Sequence, residues 1–309
     1  MGGLGKIIVV CGPTATGKSD VALALCRRFG GEVVNADSMQ VYRGLPIGTA
    51  AVTPAEAGGV PLHLNGFLPP EERYSVASWL RDAQACIDEI HRRGAVPVVC
   101  GGTGLYIKSL VEGIHYSEQN GTERRAALEA EWAMQGGEAM LARLRAQDPD
   151  HADKLNVNDK KRILRALELL ADTGLTERER ASRSHAAPPA YEALCIGLDY
   201  ADRAALYAAI NLRVDAMLAA GLLDEARMVY ENRGCYGTAV QAIGYKEFFP
   251  YFAGDAPLEA CTDKLKQATR NYAKRQLTWF RKMPQVRWLR VDEANVQAQA
   301  TEWVQAFLG

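Results

Sequence analysis

Apolar positions in the N-terminal third of the chain alternate between short continuous runs and helical spacing. Apolar runs at residues 7–11, 32–35 and 96–100 each predict a short buried strand. Between them, residues 19–29 and 75–93 repeat apolar side chains at intervals of three and four, which predicts amphipathic helices. Continuous apolar strands that alternate with helices indicate a parallel sheet covered on both faces.

A helical pattern without strands begins after the third predicted strand. Residues 122–147 are rich in Ala, Glu and Arg and contain no β-branched run, and residues 159–172 have helical periodicity. Residues 176–190 are polar and contain prolines, which predicts a connecting segment. We therefore expect a mostly helical insertion at 116–190.

An apolar run at residues 191–198 predicts that the chain then returns to the sheet. Further helices are expected at 203–231, 257–283 and 294–308. The predicted fold class is thus α/β. A parallel sheet with helices on both faces is formed by residues 1–115 and 191–309, and the helical domain is inserted between them.

Composition and charge exclude several other classes of protein. The chain has 309 residues, of which 48% are apolar and 24% charged, as in ordinary globular proteins and unlike disordered or collagen-like chains. Its net charge of −1 excludes a chain that is basic throughout, although not a local basic surface. The seven cysteines form no C-x-x-C pair, and no apolar run approaches the ~18 residues of a membrane span. We expect a monomeric cytoplasmic protein with reduced thiols and no membrane contact.

Residues 12–19 read GPTATGKS and match the phosphate-binding pattern G-x-x-x-x-G-K-[ST] between a predicted strand and a predicted helix. In such a P-loop, glycines let backbone N–H groups converge on an anion, and the helix N-terminus and Lys18 add positive charge. Ser19 is the expected ligand of Mg²⁺. The phosphate-binding residues are predicted to be Gly12, Pro13, Thr14, Ala15, Thr16, Gly17, Lys18 and Ser19. The motif leaves open whether the phosphates belong to ATP.

One acidic residue is expected beside the phosphates. The predicted strand at 96–100 ends in GGTG, without the carboxylate that holds a metal in many P-loop hydrolases. Asp37 follows the predicted strand at 32–35 and is therefore the nearest candidate. It is interpreted as a general base beside a leaving diphosphate, with a helix N-cap or a metal-bridging acid as the alternative.

A basic segment at 264–290 contains nine Lys and Arg residues and no Asp or Glu. Helical spacings of four and seven predict one stripe along a helix face, formed by Arg270, Lys274 and Arg281. Trp279 and Phe280 are expected to anchor the other side of this helix. Positive charge without neighbouring acidic residues indicates that this segment binds an RNA backbone. The alternative is an ordinary helix face exposed to solvent.

Six segments, all in the same order, resemble the bacterial tRNA dimethylallyltransferase family. They are GPTATGKS (12–19), ADSMQVYRGLPIGTA (36–50), GGTGLY (101–106), NDKKRILRALE (158–168), QAIGYKE (241–247) and TRNYAKRQLTWFRK (269–282). The resemblance spans about residues 7–290. It implies transfer of a dimethylallyl group from dimethylallyl diphosphate to the exocyclic amine of the adenosine 3′ of the anticodon in tRNA, with release of diphosphate.

The resemblance also implies roles for the matching residues. Asp37 would be the general base and Thr103 would lie beside the flipped base. With Mg²⁺ as counter-charge, the diphosphate would be held by Thr14, Lys18, Ser19 and Arg213. Contacts with tRNA are implied for Asp37, Ser38, Met39, Gln40, Thr103, Arg125, Lys161, Arg162, Ile163, Leu164, Arg165, Gln241, Ala242, Ile243, Gly244, Tyr245 and Lys246.

Four positions depart from the family pattern, and three other functions remain open. Ala51 stands where Lys is frequent, Asn65 where Asp is frequent, and Ala208-Ala209 where Glu-Arg is frequent. A P-loop kinase for nucleotides or small molecules gives no account of the acid-free basic segment. An isopentenyltransferase for free adenine nucleotides would need no helical insertion, and Asp37 argues against an RNA-binding module without catalysis.

Overall fold

A parallel sheet of six strands forms the centre of one of the two units into which the chain divides. The computed structural model describes residues 4–114, 116, 122–184, 188–293 and 295–309. The unit with the sheet comprises Met1–Val111 and Pro189–Gly309, and the other comprises Glu112–Pro188. The strands are β1 (Gly5–Cys11), β2 (Gly31–Asn35), β3 (Leu62–His63), β4 (Val96–Gly101), β5 (Tyr191–Asp199) and β6 (Val286–Arg290), in the spatial order β3-β2-β4-β1-β5-β6. All neighbouring strands are parallel, which confirms the predicted α/β class.

The helices connect these strands and make up the second unit. In chain order they are α1 (Lys18–Phe29), α2 (Pro46–Thr49), α3 (Pro54–Ala57), α4 (Val76–Arg92), α5 (Gly104–Val111), α6 (Thr122–Gln147), α7 (Pro149–Ala152), α8 (Lys160–Thr173), α9 (Glu177–Ser184), α10 (Arg203–Ala219), α11 (Leu222–Glu231), α12 (Phe249–Ala253), α13 (Leu258–Phe280) and α14 (Val296–Leu308). Two 3₁₀ turns lie at Ala239–Gln241 and Lys246–Phe248.

Both faces of the sheet are buried. Ile8 and Val10 of β1 pack in one apolar cluster with side chains of α1 and α14. The alternate residues Ile7 and Val9 are also fully buried and lie on the other face, where α4 and α5 contact the strands. Burial on two faces explains why these strands are apolar at every position rather than at alternate positions.

A second apolar cluster in this unit joins α11, the 3₁₀ turns and α13 to the segment that follows β2. Its largest fully buried side chains are Tyr245 and Phe248, and they pack with Val41, Leu45 and Leu265. The cluster therefore fixes residues of the C-terminal helices against the loop that begins at the end of β2.

The unit Glu112–Pro188 has an apolar core of its own, formed mainly by α6 and α8. The backbone of α6 is broken at Gly136, which has a φ of 78°. Helix α9 lies where a connecting segment was predicted, so that prediction is wrong for residues 177–184. A reciprocal cap starts this helix, because Thr176 N–H donates to the Glu179 carboxylate at 2.8 Å and Glu179 N–H donates to the Thr176 hydroxyl at 3.4 Å.

Several elements of the sheet unit differ from the sequence prediction. Strand β6 lies at the end of the basic segment, where no strand was predicted, and α13 ends at Phe280, shortly before Pro284. The expected helix at 203–231 is two helices, α10 and α11, separated at Gly221 with a φ of 99°. Within the described ranges, no single helix is long and apolar enough to cross a membrane, and α10 with α11 meet the length and composition only together, across a 74° bend.

Candidate active site

Three loops leave the sheet side by side at the carboxyl ends of β1, β2 and β4. The register pairs Cys11 with Gly101 and Asn35 with Cys100, so that the P-loop, Asp37 and the GGTG segment begin at the same edge. Backbone hydrogen bonds tie two of the loops together, because Thr103 N–H donates to the carbonyl of Ala36 at 3.1 Å. In an open parallel sheet this edge is where ligands bind.

The P-loop adopts a conformation that requires glycine at two positions. Gly12 has a φ of 141°, and a Cβ there would lie 2.3 Å from the carbonyl oxygen of Leu198. Gly17 has a φ of 71° and is the N-cap of α1, with no side-chain cap. The free N–H groups of the first turn of α1 therefore point toward the loop, as in an anion site. Inside the loop, the buried Thr16 hydroxyl donates to the carbonyl of Pro13 at 2.9 Å.

Two partly buried cations face this loop. Lys18 Nζ donates to the carbonyl of Pro13 at 2.6 Å. Burial lowers the pKa of Lys18 to about 8. The positive charge of Arg213 on α10 also lowers this pKa, whereas the negative charge of Asp37 raises it. Burial also lowers the pKa of Arg213. Two desolvated positive groups that repel each other are stabilised by an anion placed between them.

Asp37 lies in the same place and is partly buried. Burial raises the pKa of its carboxyl group. The backbone N–H groups of Met39, which donates to Oδ1 at 2.9 Å, and of Gln40 limit that rise. The positive charges of Lys18 and Arg213 also lower the pKa of Asp37. The result is a carboxylate more basic than an exposed one and close to the two cations.

One face of α13 covers the GGTG loop and touches the P-loop. Gln276 accepts the N–H of Thr14 at 2.9 Å and donates to the carbonyl of Gly102 at 2.9 Å. One turn earlier, Tyr272 interacts with the side chains of Gln276 and Thr103. Sequence reasoning missed Gln276 and Tyr272. The available signal was a polar uncharged pair at i and i+4 inside a basic helix.

These elements enclose a cavity of about 820 Å³. Its wall includes the P-loop, residues 37–40 and 46–53, Arg213, residues 241–244, Lys246, Tyr272, Arg275 and Gln276. The volume is typical of a site that takes a small molecule together with a further group. Phosphate-binding N–H groups, two cations and one basic carboxylate in a single cavity suit a transfer reaction with an anionic leaving group.

Comparisons with known proteins agree on one family. A family model described as IPP transferase matches residues 40–283, and one described as isopentenyl transferase matches residues 5–61. The chain is 40% identical over 307 residues to the tRNA dimethylallyltransferase of Caldanaerobacter subterraneus, covering 98% of this chain and 97% of that protein. It is 43% identical over 306 residues to that of Geobacillus kaustophilus, covering 98% and 96%.

The chain belongs to the tRNA dimethylallyltransferase family. Solved structures agree: it is 39% identical to the tRNA isopentenylpyrophosphate transferase of Bacillus halodurans, with a TM-score of 0.72 and coverage of 98% of this chain and 96% of that chain. A eukaryotic dimethylallyltransferase acting on tRNA has 30% identity and a TM-score of 0.86, with coverage of 98% and 79%. The family suggested by the six sequence segments is thereby confirmed.

In this family member, most of the predicted tRNA-contacting residues of the sheet unit lie on the cavity wall. They are Asp37, Ser38, Met39, Gln40, Gln241, Ala242, Ile243, Gly244 and Lys246. The side chain of Tyr245 is fully buried, so it packs inside the protein rather than on the cavity wall, and contact of this residue with tRNA stays a prediction. Thr103 is not among the described wall residues, and its hydroxyl accepts the N–H of Ser38 at 2.9 Å.

Buried Glu225, another residue that the sequence did not single out, holds part of the wall. Its carboxylate accepts the N–H groups of Ile47 at 3.0 Å and Gly48 at 2.7 Å, together with the hydroxyl of Tyr245 at 2.8 Å. A Cβ at Gly48 would lie 2.4 Å from the Tyr245 ring. Glu225 therefore fixes α2 against the QAIGYKE segment, and Tyr245 acts in this packing.

The predicted basic stripe is only partly free to bind RNA. Arg270 donates to the Asn211 side chain at 2.7 Å, and Arg281 donates to the buried Asp199 at 3.0 Å. Asp199 also accepts from Arg290 at 3.2 Å, and Lys266 pairs with Asp215 at 2.6 Å. The prediction of uncompensated charge is wrong for Lys266, Arg281 and Arg290, because their acidic partners come from α10 and β5, far away in the sequence.

The orientation of α13 also differs from the prediction. Arg270 and Lys274 are each two positions from Tyr272, so they lie on roughly the opposite side of the helix from the cavity. Phe280 is buried as predicted, whereas Trp279 is 40% exposed and does not anchor the helix in the core. Five exposed cations of the segment have no acidic partner in the described part of the chain: Lys264, Lys274, Arg275, Lys282 and Arg287.

In the unit Glu112–Pro188, the side chains of the predicted tRNA-contacting segment 161–165 differ in their exposure. Lys161 and Arg162 are exposed. The side chains of Ile163 and Leu164 are fully buried in the core of the unit, so they support the helix rather than present a surface. Arg165 pairs with buried Glu168 at 2.6 Å.

Arg125, the other predicted tRNA contact of this unit, is also engaged within it. Its guanidinium donates to the carboxylate of Glu129 at 3.0 Å and lies 4.0 Å from that of Glu168. Only a quarter of its side chain is exposed, so RNA would have to compete with these acidic partners.

Proposed function

We propose that the chain transfers the dimethylallyl group of dimethylallyl diphosphate to the exocyclic amine of the adenosine 3′ of the anticodon in tRNA, and releases diphosphate. The observation that carries this proposal is the single cavity that holds the P-loop, the cations Lys18 and Arg213 and the basic carboxylate of Asp37. Membership of the tRNA dimethylallyltransferase family supports it.

The proposed reaction is a displacement at the allylic carbon. The exocyclic nitrogen attacks C1 of the dimethylallyl group, and the C1–O bond breaks with its electron pair going to the diphosphate. The proton of the amine passes to the Asp37 carboxylate. An adenine amine is a weak nucleophile, and a positioned base of raised pKa makes this step faster, typically by ~10²–10⁴-fold.

The P-loop binds the departing group in this proposal rather than moving a γ-phosphate. Negative charge grows on the diphosphate as the C–O bond breaks, and preorganised N–H donors with Lys18 and Arg213 stabilise it. Thr14 contributes from within the loop. The apolar side chains of Val214 and Met217 also line the cavity and offer a surface for the dimethylallyl group.

Mg²⁺ is the cofactor that we propose. Within the described ranges, no three His, Cys, Asp or Glu side chains are grouped to hold a metal ion. The Ser19 hydroxyl in the first turn of α1 lines the cavity beside the P-loop, which fits an ion that keeps its waters and takes oxygens from a bound diphosphate. When bound, Mg²⁺ would neutralise charge on the leaving group. A rise in the Mg²⁺ concentration needed for half-maximal rate in Ser19→Ala tests this assignment.

The nucleic acid must present its adenosine out of the stack, because Asp37 lies inside the cavity. We propose that residues 38–40, Gln241 and Lys246 meet the anticodon loop where it enters the cavity, and that Thr103 orders this entrance through Ser38. We also propose that the protein is a cytoplasmic monomer, in keeping with its reduced cysteines. Light scattering in solution checks the monomer.

Labelled dimethylallyl diphosphate incubated with unmodified tRNA tests the function, with AMP, ATP and tRNA lacking that adenosine in parallel. We expect label in the tRNA that carries the adenosine and in none of the other acceptors. Label in AMP or ATP would identify an isopentenyltransferase for free nucleotides. Hydrolysis of ATP with phosphate transfer, and no labelled tRNA, would identify a kinase.

A further inference from the structure

Trp279 is exposed although it lies between two buried residues of α13. Its side chain is 40% exposed, while Gln276 and Phe280 on the same helix are 5% and 0% exposed. Leu105, which follows the GGTG loop, is also 40% exposed. Exposed single apolar residues are ordinary, but a large ring beside an active site needs an explanation.

The ring lies against the backbone of the GGTG loop. A Cβ at Gly104 would be 2.2 Å from Cδ1 and 2.7 Å from Nε1 of Trp279, so only a glycine lets the indole lie there. Trp279 is three residues after Gln276 and seven after Tyr272, which places all three on one face of α13. The same helix face therefore closes the cavity and continues outward to this ring.

The distance from the ring to the reacting groups is short. A Cβ at Gly102 would lie 3.6 Å from Oδ2 of Asp37, and Gly104 is two residues further along the loop. Two peptide units span at most about 7–8 Å. Trp279 is not among the described residues of the cavity wall, so its ring lies just outside the place where the modified adenine must sit.

Positive charge surrounds the ring. Arg275 and Lys282 are four residues before and three residues after Trp279, on the same side of the helix, and both are exposed. Neither has an acidic partner in the part of the chain that the structure describes. An exposed aromatic ring flanked by such cations is how proteins bind single-stranded RNA, with a base stacked on the ring and phosphates beside the cations.

We propose that Trp279 is a stacking platform for the base next to the modified adenosine in the anticodon loop. This inference rests on the proposed function. The ring would hold the neighbouring base outside the cavity while the adenine enters it, so the tRNA would be bound on both sides of the flipped nucleotide. The platform recognises the flat face of a base and requires no particular sequence.

Binding of an anticodon stem-loop to Trp279→Leu and Trp279→Phe tests the platform. We expect Trp279→Leu to weaken binding roughly 5- to 150-fold, the range for loss of one base–aromatic stack, with the Kd for dimethylallyl diphosphate unchanged. Trp279→Phe keeps a flat ring and should retain most of the affinity. Thermal melting checks that both variants fold.

Abasic nucleotides separate stacking from a packing defect. We expect an abasic site on one side of the target adenosine to weaken binding by wild type, and to add nothing to the loss in Trp279→Leu. If abasic sites on either side weaken both proteins equally, the platform is wrong even though wild type modifies tRNA. If wild type neither binds nor modifies tRNA, the proposed function fails and the platform with it.

Discussion

Gln276 holds the backbone N–H of Thr14 at 2.9 Å and so joins α13 to the P-loop. Its other amide atom donates to the carbonyl of Gly102, which brings the GGTG loop into the same contact. One side chain thus sets the position of two loops that meet the substrates. Their spacing depends on a residue that is 262 positions from Thr14 and 174 from Gly102 in the sequence.

Replacing Gln276 by Ala should loosen both loops. Two buried backbone groups lose their partner, each worth about 1–3 kcal/mol. We expect a higher KM for dimethylallyl diphosphate, a lower kcat and a lower Tm. Gln267→Ala on the exposed side of the same helix is the matched control. Equal kinetics in the two variants would show that Gln276 has no part in placing the loops.

Asp37→Ala should abolish the chemical step and spare substrate binding. Loss of a general base lowers the single-turnover rate by ~10²–10⁴-fold. The Kd for dimethylallyl diphosphate should stay equal or fall, because a negative charge is removed beside the cations. Asp255→Asn, at an exposed loop, controls for loss of an acid. A single-turnover rate above a third of wild type would exclude Asp37 as the base.

The pH dependence of kcat/KM should be bell-shaped. The rate rises with pH as Asp37 loses its proton, and burial moves this limb above the ordinary range of aspartate. It falls with pH as Lys18, with a pKa of about 8 in the free protein, loses the charge that binds diphosphate. In kcat the alkaline limb should move higher, because bound diphosphate stabilises the charged lysine.

Lys18→Arg distinguishes this origin of the alkaline limb from others. Arginine stays protonated throughout the range, so the variant should be slower but should lose the fall near pH 8. If kcat/KM of the variant still falls near pH 8, a group other than Lys18 causes that fall.

The cations that flank the cavity side of α13 should carry the salt dependence of tRNA binding. Changing Lys264, Arg275 and Lys282 together to Gln should reduce the slope of log K against log salt by about 2, if each neutralises one phosphate. The comparison variant has the same change at Arg270, Lys274 and Arg281. We expect it to lower the Tm, because Arg281 pairs with buried Asp199, and to change the slope less. A larger change of the salt slope in the variant at Arg270, Lys274 and Arg281 would support the RNA-binding stripe that helical spacing predicted.

Local motifs made much of this site predictable. The P-loop between β1 and α1 needs only neighbouring residues, and Asp37 follows β2 directly, so strand order and the parallel register bring them together. Strands β1, β2, β4 and β5 were predictable from their apolar runs, whereas β3 and β6, at the two edges of the sheet, were not predicted. Resemblance then supplied Arg213 and Thr103, which no spacing in the sequence connects to the loop.

Contacts between distant segments account for what was missed. Spacing showed that Arg270 and Arg281 share a helix face. It did not show that these arginines hydrogen-bond to Asn211 and Asp199 in the folded protein. Ile163 matches a family segment, yet helical packing directs its side chain into the core. Glu225 looks like an ordinary surface acid until folding brings the N–H groups of Ile47 and Gly48 to it.

The order of strands in the sheet has a consequence for synthesis of the chain. β1 lies between β4 and β5, and its Gly5 pairs with Tyr191, beyond the whole helical unit. While the ribosome makes that unit, β1 is therefore the open edge of a four-stranded sheet, with unpaired N–H and C=O groups and a row of fully apolar side chains. An unpaired strand edge of this kind can form β-sheet hydrogen bonds with other chains and so cause aggregation. The strand that leads into the P-loop is thus the part of the nascent protein in greatest need of protection by chaperones, until β5 emerges and closes it.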